Sequence, residues 1–145
     1  MKLALLALLL VPVALSAQTI NYTDHIDSPM VGVIDSSCSE SVAVSGTVHS
    51  VIHLTQQNNQ VSIDVHVGPR GDMTATGLDT GTQYNMTGQT FTRLQFGQNN
   101  LENYSYHDQF KVVGLFTVHY TYHLLFGDNY FTPKAFVDHF SVTCD

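Results

Sequence analysis

The sequence predicts an all-β domain, an antiparallel sandwich or a small closed barrel of about eight strands. Three observations carry that expectation. Apolar residues recur at every second position along most of the chain, and no internal stretch sustains a 3.6-residue apolar period. Glycine, proline, asparagine and aspartate cluster between the alternating runs, where turns are needed. Two cysteines stand far apart, so a single intramolecular bond can close the fold.

The chain opens with Met1 and Lys2, then an apolar run from Leu3 to Leu15, then Ser16-Ala17-Gln18. This is the charge, hydrophobic length and small-residue site of a signal peptide. The run is shorter than the roughly 20 residues a bilayer span requires, so no membrane anchor is expected. Cleavage after Ala17 is preferred over cleavage after Ser16, giving a signal at 1–17 and one secreted β domain at 18–145. Export places the cysteines in an oxidising compartment, where Cys38 and Cys144 form the expected disulfide. Two thiols or an intermolecular bond are the alternative. A loop of this length gains about 4–5 kcal/mol from closure in the chain-entropy model.

The first long strand is expected over Val42–Leu54. Val42, Val44, Val48, Ile52 and Leu54 face one way; Ser45, Thr47, His49, Val51 and His53 face the other. Gln56–Asn59 reads as a hairpin loop, followed by Val61, Ile63, Val65 and Val67 inward with Asp64 and His66 outward. Pairing Leu54 with Val61 matches the apolar faces and sets His49 opposite His66. Gly68-Pro-Arg-Gly-Asp72 breaks the strand. Short strands follow at Met73–Leu78 and Gln83–Thr87, joined by Asp79-Thr-Gly81, and another at Phe91–Phe96. Gly97–Tyr106 reads as a polar surface loop. Phe110–Val113, Leu115–Phe126 and Lys134–Thr143 complete the set, with Gly114 as a bend and Gly127-Asp-Asn129 as a turn. In the penultimate strand Phe116, Val118, Tyr120, Tyr122 and Leu124 share one side, opposite His119, Thr121 and His123. Most of the aromatic residues alternate into the apolar face, so packing is their expected role.

Val44-Ser-Gly-Thr-Val-His-Ser-Val-Ile-His53, Val65-His-Val-Gly-Pro-Arg-Gly71, Thr80-Gly-Thr-Gln-Tyr84, Phe110-Lys-Val-Val-Gly114, Val118-His-Tyr-Thr-Tyr-His123 and Ala135-Phe-Val-Asp-His-Phe-Ser-Val-Thr-Cys144 form one set of motifs. Over Cys38 to Asp145 the chain resembles a family of small secreted, uncharacterised bacterial β-proteins. His49, His53, His66, His119, His123 and both cysteines match that pattern. Gly97–Tyr106 departs from it, as does Asp138-His139, where the family carries Asp-Asn. The resemblance implies secretion, a β fold and the disulfide.

Twelve acidic residues outnumber five basic ones, giving a formal charge of −7. Charge-driven binding to nucleic acid or anionic membrane is therefore not expected. The histidines are the one feature with chemical meaning. His49, His53, Asp64 and His66 occupy one face of a predicted hairpin, and His119 and His123 one face of another strand. Imidazole suits zinc, copper and nickel, so zinc or copper is what such a set would take, although the sequence dictates no cofactor. Histidines four apart on a strand stand about 13 Å from each other, so His119 and His123 cannot act as a helical ligand pair. No nucleophile elbow and no paired carboxylates accompany them.

The expected function is non-catalytic binding of a small ligand at the histidine-lined face. A metal-dependent or acid–base enzyme of isomerase or cyclase type, using His49, Asp64 and His66, is the alternative. A structural or surface-associated extracellular protein is the third. Arg70-Gly71-Asp72 matches an adhesion tripeptide, against which a plain turn is the simpler account.

Overall fold

The computed structural model describes residues 19–38, 40–97, 100–126 and 133–145. The expected signal peptide and the turn at 127–129 lie outside them. All regular structure described is antiparallel strand: β1 Ile20–Ile34, β2 Val42–Gln57, β3 Gln60–Pro69, β4 Thr74–Gly77, β5 Gln83–Gly97, β6 Asn100–Val112, β7 Phe116–Phe126 and β8 Pro133–Cys144. They form one sheet in the order β1-β2-β3-β5-β6-β7-β8, with β4 between β2 and β5. Among the described residues β1 and β8 are unpaired edges, so the sheet is sandwich-like rather than a closed barrel.

The third position of the sheet is shared. The first half of β2 pairs with β4 and its second half with β3. β5 switches partner in the same way. β3 and β4 thus follow one path, interrupted by the turn from Arg70 to Met73. Gly46 lies opposite this break, and a Cβ there would come within 2.6 Å of the Met73 backbone. Its φ of 147° suits glycine as well.

The alternation places one residue set on an inner face. At one end, Val42, Val44, Ala75, Val112, Phe116 and Val118 form a single buried cluster. These come from strands that are not all neighbours, so the sheet folds over on itself there. The Cys38–Cys144 disulfide ties the β1–β2 connection to the end of β8, with Cα atoms 5.3 Å apart at a sequence separation of 106. Glu40, only 8% exposed, fastens the β4–β5 hairpin to the same end. Its carboxylate accepts hydrogen bonds from the Tyr84 hydroxyl (2.7 Å), the Thr80 hydroxyl (2.9 Å) and the Asp79 and Thr80 amides (both 3.1 Å). Led by Tyr84, these donors hold the Glu40 carboxyl below its ordinary value.

Four expectations need correction. β1 was not foreseen as a strand: its inner positions include Asp24, Ser28 and Gly32, which break the apolar alternation, and Pro29 is tolerated because β1 is an edge. The expected loop at Gly97–Tyr106 is largely the first half of β6, whose Asn103, Ser105 and Tyr106 are polar yet fully paired to β5. Gln83–Thr87 and Phe91–Phe96 are one continuous strand. The β2–β3 turn is shorter than expected. Gln57 pairs with Gln60, and Asn58 takes a φ of 55°, as a two-residue hairpin turn demands. Leu54 therefore meets Ile63 rather than Val61.

Several aromatic residues take the expected packing role: Phe116 is fully buried, and Phe110 and Tyr84 pack against the core cluster. Tyr106–Tyr120, Tyr104–Tyr122, Tyr122–Phe136 and Tyr120–Phe140 make ring contacts 5.3–6.3 Å apart along β6, β7 and β8. Phe136 and Phe140 are nevertheless more than half exposed. Partial burial raises the Tyr106 and Tyr120 hydroxyls above their ordinary value, with Asp108 and Asp138 respectively adding to the effect.

Candidate functional site: the histidine face

The strand registers place all eight histidines of the chain on the outer face. One row crosses the whole sheet: His25, Val51, His66, Phe91, His107, Thr121 and His139 are successive cross-strand partners. His66 packs on Phe91 at 4.7 Å between centroids, and His53 lies edge-on to His66 at 6.2 Å. None of the eight is buried.

The residues singled out in the sequence separate into three places. His49 lies opposite Gly68, and His66 opposite Val51, because the shorter turn shifts the β3 partner by two residues. His53 lies opposite Asp64 and meets the Thr23 hydroxyl through Nδ1 at 3.0 Å. Asp64 does not serve His66. Both its oxygens accept from Arg93, at 2.7 Å from Nε and 3.0 Å from Nη2. His119 and His123 sit on β7, three ladders from β3, which at about 4.8 Å per ladder keeps them well outside chelating range of His66. His123 Nε2 donates to Asn103 Oδ1 at 2.8 Å, and Asn103 in turn donates to Gln95. Among the described residues, no three or more His, Cys, Asp or Glu side chains are grouped to hold a metal ion.

A different constellation forms at the β1 edge. Asp27 is the direct cross-strand partner of His49, and His25 is its diagonal neighbour. His49 Nδ1 stands 2.6 Å from Asp27 Oδ1, and Arg70 grips the same carboxylate from Nε at 3.1 Å and Nη2 at 3.2 Å. Arg70 Nη2 also lies 2.8 Å from His49 Nδ1. A guanidinium only donates, so Nδ1 cannot both donate to Asp27 and accept from Arg70; the shorter contact to a carboxylate takes the Nδ1 proton. His49 Nε2 is then an acceptor, and His25 Nδ1 faces it at 3.3 Å. The His49 bond, then the Arg70 bonds, hold the Asp27 carboxyl below its ordinary value.

The turn after β3 delivers Arg70 to this place. Asp72 accepts from the Thr47 hydroxyl at 2.7 Å and its amide at 3.2 Å, and the Arg70 amide donates to the Thr47 carbonyl. Both charged ends of Arg70-Gly71-Asp72 are thus engaged within the molecule. No family model, no curated protein and no solved structure matches this chain.

Sequence reasoning missed His25, Asp27 and the role of Arg70. The signal was present: His25 and Asp27 are an i,i+2 His/Asp pair, the same pattern that drew attention to Asp64 and His66. It went unread because β1 itself lacked a clean alternation.

Proposed function

We propose that this protein is a secreted, non-catalytic binding domain that holds a small ligand on its histidine face, at the notch formed by His25, Asp27, His49 and Arg70. The observation that carries the reading is the ordered chain Arg70–Asp27–His49–His25, in which each polar atom is oriented by the next and the last imidazoles open to solvent. Secretion is supported by the leader-like run Leu3–Leu15, by the resemblance to small secreted bacterial β-proteins and by the disulfide, which requires a non-reducing environment.

Binding is favoured over catalysis for two reasons. Asp64 is committed to Arg93, and His25, His53 and His107 are exposed, where water reaches any acid–base step. The inner face is also small for an ordinary ligand site. Its apolar groove, lined by Met30, Val48, Val67, Met86 and Phe110, holds about 190 Å³, below the roughly 300 Å³ of ordinary ligand sites.

The test is nuclear magnetic resonance of the isotope-labelled mature protein against a panel of small carboxylates, phosphate, sugars and divalent ions. Perturbed imidazole signals of His25 and His49 are the expected result. Perturbation confined to the tyrosines of the inner face, or none with any probe, overturns the reading.

A further inference from the structure

We infer that His25 and His49 form a two-imidazole clamp for a divalent transition-metal ion of the zinc, copper or nickel class. The inference rests on the histidine face being the binding face, and it names the ligand.

The first argument is the bite. His25 Nδ1 and His49 Nε2 are 3.3 Å apart. Two nitrogens bound to one tetrahedral zinc at about 2.0–2.1 Å stand about 3.3–3.4 Å from each other, so the pair already has the spacing of a chelate. The two rings are stacked, 5.4 Å between centroids and 23° between planes, so their lone pairs converge only when the exposed His25 ring turns about its side-chain bonds.

The second argument is the outer support. A metal-bound histidine ordinarily donates its other ring N–H to a carboxylate, which fixes its tautomer and raises its basicity. His49 does this toward Asp27, and Arg70 fixes Asp27 in turn. Such an arrangement presents the Nε2 lone pair outward whether or not an ion is bound.

The third argument is ligand chemistry. Two neutral imidazoles without thiolates favour zinc, copper and nickel over magnesium or calcium. His49 is about one quarter exposed, and the clamp lies at the sheet edge, so water or a small donor can complete the coordination. Loading the clamp moves the His25 proton from Nδ1 to Nε2 by exchange with solvent. His49 keeps its Nδ1 proton on Asp27, and a neutral pair releases no net proton.

Calorimetry with zinc and with nickel on the oxidised mature protein tests this, with imidazole resonances followed in the same titrations. One ion per chain is expected, shifting His25 and His49. H25Q and H49Q should each lose at least tenfold in affinity, and D27N about 10–100-fold. H119Q, on the distant β7, should bind as the wild type does. Absence of binding overturns the inference, as does binding that survives in both H25Q and H49Q. If neither metal binds while an organic or anionic probe still shifts the His25 and His49 signals, only the metal falls and the binding face stands. If no probe shifts them, both fall. Circular dichroism of each variant separates loss of ligand from loss of fold.

Discussion

The two ends of the inner face share one chemistry and have opposite fates. At the disulfide end, Val42, Val44, Val112 and Phe116 are sealed from water. Away from that end, residues of the same face and the same apolar character, among them Ile20, Tyr22, Phe136 and Phe140, stand from about one half to nearly two thirds exposed. Side-chain alternation decides which face a residue occupies. Whether that face is covered depends on the curl of the sheet, which among the described residues buries the disulfide end. Stability is therefore concentrated around the bond and the cluster beneath it.

Removing the bond is the strongest way to break that contrast. Replacing Cys38 and Cys144 with serine should cost about 4–5 kcal/mol on the chain-entropy account, read as a lower denaturant midpoint. A small change would mean that the curled end holds itself without the clasp. Next come two phenylalanines of the same face. Phe116→Ala, at 0% exposure, should cost about 3–5 kcal/mol, whereas Phe140→Ala, 63% exposed, should cost about 0.5 kcal/mol or less. Equal losses in urea unfolding would erase the distinction between the ends.

A smaller effect concerns Glu40. Its folded-state value lies below its unfolded one, so its contribution is present above the ordinary carboxylate range and lost as pH falls through the folded value. Glu40→Gln should lower stability at neutral pH and flatten the decline between about pH 5 and pH 3. Asp27, Asp72 and Asp145 are depressed in the same direction and should supply the slope that remains. A variant with the wild-type profile would place the acid sensitivity with those three instead.

Much of this was legible in the sequence. The facing of β2, β3 and β7 and the turn at Asp79–Gly81 follow from alternation and turn chemistry, and the cysteine pairing from there being two cysteines. The break expected at Gly68–Asp72 begins only at Arg70, since Gly68 and Pro69 still pair with β2. What escaped was local geometry of small energetic weight. Nothing in the composition of Gln56–Asn59 says that the turn uses two residues rather than four, yet that choice moves His49 from His66 to Gly68. Polar strands such as the start of β6 draw their order from ladder hydrogen bonds to β5, which leave no mark on hydropathy. The Asp27–His49–His25 chain depends on the β1 register, and β1 is the strand whose pattern is weakest.

The order of the sheet has a further consequence for how the molecule comes into being. With β3 and β4 taken as one path, the sheet runs as a meander, although in chain order β2 also reaches β4 across β3 and β3 reaches β5 across β4. Most ladders therefore close over short stretches of chain, an arrangement that favours rapid hairpin formation. The disulfide is the exception, since Cys144 closes β8 and its partner precedes β2. The bond thus spans the whole path, and it can close only when the β1–β2 connection and the end of β8 stand side by side.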